Sequence, residues 1–201
     1  MRRYQATVLA AIGLCPLPAL AHLISTGFGP VYDGIGHFFL SVEDLLPLLA
    51  LMAFGGQHGE VAGRRVMFVL PPVWLLGGLF TTLGFASATM PSSLAPVLAI
   101  ILGAAVALNV QLSLPLLTAM IALVAGSFGA ITGSALAAQV GNLKMLLGST
   151  AALCILATLV PALVVKISTE APWMRITVRV GGSWVAGVGL LMLGWQLRSA
   201  S

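Results

Sequence analysis

The chain has 201 residues, of which 59% are hydrophobic and 7% charged, with a mean hydropathy of +1.09. A soluble domain carries about 25% charged residues, so this chain lacks the polar surface to face water on all sides. The net charge of +4 comes from nine Lys and Arg set between apolar runs, which is a topology pattern and excludes a nucleic-acid patch. The composition predicts an all-α integral membrane protein, since no alternating segments of about ten residues suggest a barrel. Cys15 and Cys154 fall in separate apolar segments and read as packing residues.

The N-terminus begins MRRYQATVLAAIGLCPLPALAH. Arg2 and Arg3 precede a short apolar run, Ala6 to Leu14. Pro16 and Pro18 break it, and Ala19-Leu20-Ala21 fits a small-residue cleavage site. The run is shorter than the roughly 20 residues a span needs. Residues 1–21 are therefore expected to be a signal peptide, and residues 22–201 a transmembrane domain whose mature chain starts at His22.

Six apolar segments follow, at about Tyr32–Phe54, Val66–Phe85, Leu94–Leu108, Leu114–Ala138, Lys144–Val165 and Val178–Leu197. The sequence thus predicts a bundle of six transmembrane helices. A cleaved signal puts the mature N-terminus outside. The loops then assigned to the cytoplasm carry Arg64, Arg65, Lys166, Arg175 and Arg179, against Lys144 and Arg198 outside. This agrees with the positive-inside rule, and the expected location is a bacterial inner (plasma) membrane.

The fourth segment contains Gly126, Gly129 and Gly133. Gly129 and Gly133 form a GxxxG pair, which lets helix backbones approach closely. Such a pair packs helices within the chain or joins copies in a homo-oligomer. The alternative is a substrate passage lined by Gly129, Thr132 and Gly133, with the polar Asn109 and Gln111 at its end.

Most of the acid lies in one stretch, YDGIGHFFLSVEDLLPLLAL, which holds Asp33, His37, Glu43 and Asp44. On an unbroken helix with His37 at zero, Asp33 falls at about −40°, Asp44 at about −20° and Glu43 at about −120°. Asp44 would then lie about 16 Å beyond Asp33, near mid-membrane. Two unpaired carboxylates at that depth cost roughly 5–7 kcal/mol. They read as a site for a cation or a proton. Imidazole with carboxylates suits divalent transition metals, and a free His22 would add a ligand on the outer side. His58, in the next loop with Glu60, reads as a solvated residue, with an exit-side contact as the alternative.

At these residues the chain resembles the HupE/UreJ family. That family has a cleaved signal, a mature start at or near histidine, and a first helix with a histidine, five residues, then Asp-His-Leu-Leu. His37, Glu43, Asp44, Leu45 and Leu46 occupy those places. The stretches AHLISTGFGPVYDGIGH and VRVGGSWVAGVGLLML extend the likeness over nearly the whole chain. The resemblance implies a nickel or cobalt permease associated with hydrogenase or urease systems. Glu43-Asp44 replaces the family's Asp-His. Phe128, Thr132 and Ala135 stand where a later family helix carries His, His and Glu.

The expected function is a permease for a divalent transition-metal ion, with His22, Asp33, His37, Glu43 and Asp44 as ligands. The ion is cargo and no resident cofactor is expected. The alternatives are a proton-coupled permease or channel for a small neutral solute, and an accessory protein without transport of its own. No P-loop, HExxH or Ser-His-Asp pattern points to an ATPase or a hydrolase.

Overall fold

The computed structural model describes residues 26–86, 93–170 and 172–200. These form seven α-helices and one short 3-10 turn, with no strand among the described residues. The helices are α1 (Pro30–Leu40), α2 (Val42–Gln57), α3 (Glu60–Thr82), α4 (Leu94–Leu108), α5 (Leu114–Leu136), α6 (Asn142–Glu170) and α7 (Arg175–Ala200). The expected signal peptide, with His22, lies outside the described residues.

All six apolar segments are helical, but the first is not one helix. It divides at Ser41 into α1 and α2, bent by 75°. α3, α5, α6 and α7 are long and apolar enough to cross a membrane, and the broken pair makes a fifth candidate. α4 has 15 residues, about 22 Å of helix, which is short for about 30 Å of hydrocarbon. The chain is a multi-pass membrane protein.

Local chemistry sets the boundaries. Pro30 begins α1, where its missing N–H leaves no bond unmade. Gly59, at φ 90°, turns the chain between α2 and α3 in a conformation that L side chains rarely adopt. Asn109 closes α4 in the left-handed region at φ 53° and ψ 47°, a conformation its short polar side chain tolerates.

The core lies where α2, α3 and α5 meet the middle of α6. Phe54, Trp74, Phe128, Leu48, Leu70 and Leu153 are fully buried there. Without a hydrophobic force between helices in lipid, small residues and interhelical hydrogen bonds must hold the bundle, and both appear at the largest interface, α3 on α5. Gly129 lies directly against the Trp74 carbonyl, and Gly133 against the Gly78 carbonyl. Thr81 donates to Ala130 O at 2.9 Å, and Thr82 to Gly133 O at 3.2 Å. The GxxxG pair is therefore engaged within the chain. α1 packs on the start of α6 in the same manner, with Ser149 Oγ donating to Gly34 O at 2.8 Å. α7 packs mainly on α4. The rest of α7 faces outward, with Trp184, Leu191 and Trp195 at 73%, 76% and 74% exposure, a surface suited to lipid.

The loops that join α2 to α3, α4 to α5 and α6 to α7 gather at one end of the bundle. Gln57 Nε2 donates to Val106 O at 3.1 Å, and Arg179 Nε to Ala107 O at 2.7 Å. Arg64, Arg65, Lys166, Arg175 and Arg179 all belong to this basic end. Asp33, Glu43 and Asp44 belong to the opposite one.

Two changes test this packing. Gly129→Ala places a methyl against the Trp74 carbonyl, and is expected to cost about 1–3 kcal/mol and to lower the melting temperature in detergent. Gly187→Ala meets open space and is expected to leave that temperature unchanged. Thr26→Val removes one bond to Asp33, worth about 0.5–1.5 kcal/mol. Amide exchange is expected to speed up at the start of α1 and not elsewhere.

Candidate acidic site at the broken first helix

Ser41 is the pivot. Its backbone sits at φ −78° and ψ 71°, outside the helical region. Its N–H and its hydroxyl both donate to His37 O, at 3.0 and 2.8 Å. The residue therefore closes the end of α1 and leaves the start of α2 without a side-chain cap. Its own carbonyl accepts from Asp44 N at 3.0 Å and Leu45 N at 2.9 Å, which starts α2. Pro47 follows inside α2 and has no N–H to offer the Glu43 carbonyl one turn back.

The break changes the depth of the acids. Along the α2 axis, a 75° bend reduces the separation of Asp33 and Asp44 from about 16 Å to about 8 Å. The expectation of a mid-membrane Asp44 rested on an unbroken helix, and the single helical wheel does not carry across Ser41. Asp33 and His37 keep their one-turn relation on α1. Glu43 and Asp44 instead occupy the first turn of α2, where unpaired main-chain N–H groups and the helix dipole favour negative charge. That placement lowers the cost of both carboxylates without a cation.

Each predicted residue has a definite place. Asp33 begins α1 and accepts from Thr26 N at 2.5 Å and Thr26 Oγ1 at 2.7 Å, so it anchors the segment entering the helix. His37 is half-buried one turn before the break. Glu43 is exposed beside Leu191, Met192, Trp195 and Gln196 of α7, around a cavity of about 390 Å³. Asp44 is half-buried. Among the described residues, no three His, Cys, Asp or Glu side chains come together as metal ligands would.

The residues proposed to line a path are divided between two places. Gly129, Thr132 and Gly133 are buried in or beside the α3–α5 interface. Thr132 Oγ1 donates to Phe128 O of its own helix at 2.9 Å. Asn109 and Gln111 lie at the basic end, on a separate cavity of about 470 Å³ that Arg175 and Arg179 also line. Two guanidinium groups make that cavity unfavourable for a cation.

His58 is neither solvated nor free for an ion. Its Nδ1 lies 2.8 Å from Phe54 O, and its Nε2 accepts from Leu112 N at 3.0 Å. Both ring nitrogens are committed to main chain, and the ring stacks edge-on to Phe54 at 4.6 Å. The histidine fastens the end of α2 to the loop before α5. The pairing of Thr26 with Asp33 and the gathering of Gln57, Arg175 and Arg179 were not foreseen from sequence. Arg175 and Arg179 stand one turn apart at the start of α7, which is the only local signal of the latter.

The HupE / UreJ protein family model matches residues 9–192, which takes in α1 to α6 and the greater part of α7. No curated protein and no solved structure matches the chain. The histidine, the paired acids and the glycine-rich helices all lie within the matched region. The chain belongs to the HupE/UreJ family.

Proposed function

We propose that this protein is a permease for a divalent transition-metal ion of the nickel or cobalt kind, taken in at the acidic end of the bundle. Family membership supports metal transport in general. The observation that carries the site is the break at Ser41. Broken helices in transporters place carbonyl ends and charged groups where an ion can reach them. Here the carbonyl end of α1, the His37 imidazole and the Glu43 and Asp44 carboxylates belong to the four residues on either side of one bend. The negative end of the α1 dipole meets the positive start of α2 at this break, so attraction for a cation rests on the carboxylates themselves.

In this reading, the positive-inside rule orients the basic end toward the cytoplasm of a bacterial plasma membrane. Residues 1–21 are removed as a signal peptide, and the six helical segments give six passes. His22 and Asp33 meet the ion first. His37, Glu43 and Asp44 then replace part of its water shell. A set with one imidazole and several carboxylates prefers a harder cation than an all-histidine set would.

A second reading has one observation in its favour. No three-ligand group exists among the described residues, and α5 offers Phe128 and a Thr132 bonded to its own helix in place of imidazoles. The same acids would then carry protons for a permease of a small neutral solute.

The double variant Glu43→Gln/Asp44→Asn separates the two. Under the metal reading, whole-cell accumulation of nickel or cobalt falls about ten- to a hundredfold, the loss expected when a charged partner worth about 1.5–3 kcal/mol is removed. Unchanged accumulation at equal expression would sink the metal site. A pH-dependent flux indifferent to added nickel and cobalt would establish the second reading instead.

A further inference from the structure

The strongest feature outside the acidic site is the cavity at the basic end. It is about 470 Å³ in volume and lies between the end of α2, the loop before α5, the end of α6 and the start of α7. Gln57, Asn109, Gln111, Thr169, Arg175 and Arg179 supply its polar lining, and no acidic side chain is among its described lining residues. Arg175 Nε donates to Ser168 O at 3.2 Å and Arg179 Nε to Ala107 O at 2.7 Å. These bonds fix both side chains and leave the rest of each guanidinium fork for an anion. The lining therefore suits a ligand that brings negative charge.

A second, apolar crevice of about 290 Å³ shares Val178 with this cavity. Leu49, Ala53, Leu163, Val164 and Gly181 line it, between α2, α6 and α7. α6 and α7 scarcely touch along their lengths, so the crevice runs between them. Trp173 is 67% exposed in the turn joining these two helices. Exposed Trp of this kind sits at the membrane–water interface, which puts the basic cavity at the level of lipid headgroups.

We propose that this paired cavity binds one anionic phospholipid, with its phosphodiester on Arg175 and Arg179 and an acyl chain in the crevice beside Gly181. Basic pockets between helices on a cytoplasmic face favour such headgroups. The charge selects anionic lipid, and the crevice selects a lipid over a soluble phosphate. The bound lipid bridges α6 and α7, which have little direct contact.

Native mass spectrometry of the purified full chain tests this, with palmitoyl-oleoyl phosphatidylglycerol, palmitoyl-oleoyl phosphatidylcholine and glycerol phosphate as probes. The wild type is expected to retain phosphatidylglycerol in preference to phosphatidylcholine. Arg175→Gln/Arg179→Gln is expected to weaken that retention about 30-fold, the effect of two interfacial arginines. Because those arginines also hold main-chain carbonyls, Gly181→Phe supplies an independent arm. A Cβ there meets no neighbour within 4 Å, and Gly181 lines the crevice, so the ring occupies it while the charges stay in place. It is expected to reduce phosphatidylglycerol retention and to leave the melting temperature of the lipid-free protein unchanged. Equal retention of the two lipids, or retention by Gly181→Phe equal to wild type, overturns the proposal. Binding of glycerol phosphate as tight as that of the lipid identifies a soluble-anion site and overturns it as well.

Discussion

Main-chain polarity inside lipid is the constraint on which this structure depends. Hydrocarbon offers no partner to a stray N–H or C=O, so a helix can stop within a span only where its ends are answered. Ser41 answers the end of α1 with its amide and its hydroxyl on the His37 carbonyl, and its carbonyl starts α2. Glu43 and Asp44 then bring negative charge to the positive start of α2. The break and the acids support one another: the first turn stabilises the carboxylates, and the carboxylates suit the first turn.

The same constraint explains the glycines. Helices with few large polar side chains gain stability from close backbone approach and from hydroxyls that reach across. Gly129 and Gly133 seat α3 against α5, Thr81 and Thr82 bond across that interface, and Ser149 bonds α6 to α1. α7 lacks comparable ties to α6, and the arginine-lined cavity and the apolar crevice both open beside that gap.

Charge is divided between the ends of the molecule. Asp33, Glu43 and Asp44 lie at one end with Lys144 and Arg198, while Arg64, Arg65, Arg175, Arg179 and Lys166 lie at the other with Glu60 and Glu170. Arg64 and Glu60 are 3.5 Å apart there, both well exposed, and such a surface pair contributes little. The arginine-lined cavity with Asn109 and Gln111 lies apart from the acidic bend, although both sets of polar residues read from sequence as parts of one path.

The amino-acid sequence by itself determined the membrane class, the six helical segments, the family, and the residues that carry charge. It could do so because hydropathy and composition act residue by residue, and burying apolar helices in lipid needs no knowledge of neighbours. The apolar run read at about Leu94–Leu108 matches the helix, which Asn109 closes in the left-handed region. Only the tertiary structure decided that Tyr32–Phe54 divides at Ser41, that His58 serves the main chain, that the GxxxG pair faces α3, and that Gln57 meets Arg175 and Arg179. Each of these depends on which distant carbonyl or helix stands opposite, as Ser149 stands opposite Gly34. A local pattern of hydrophobicity has no means of encoding that partner.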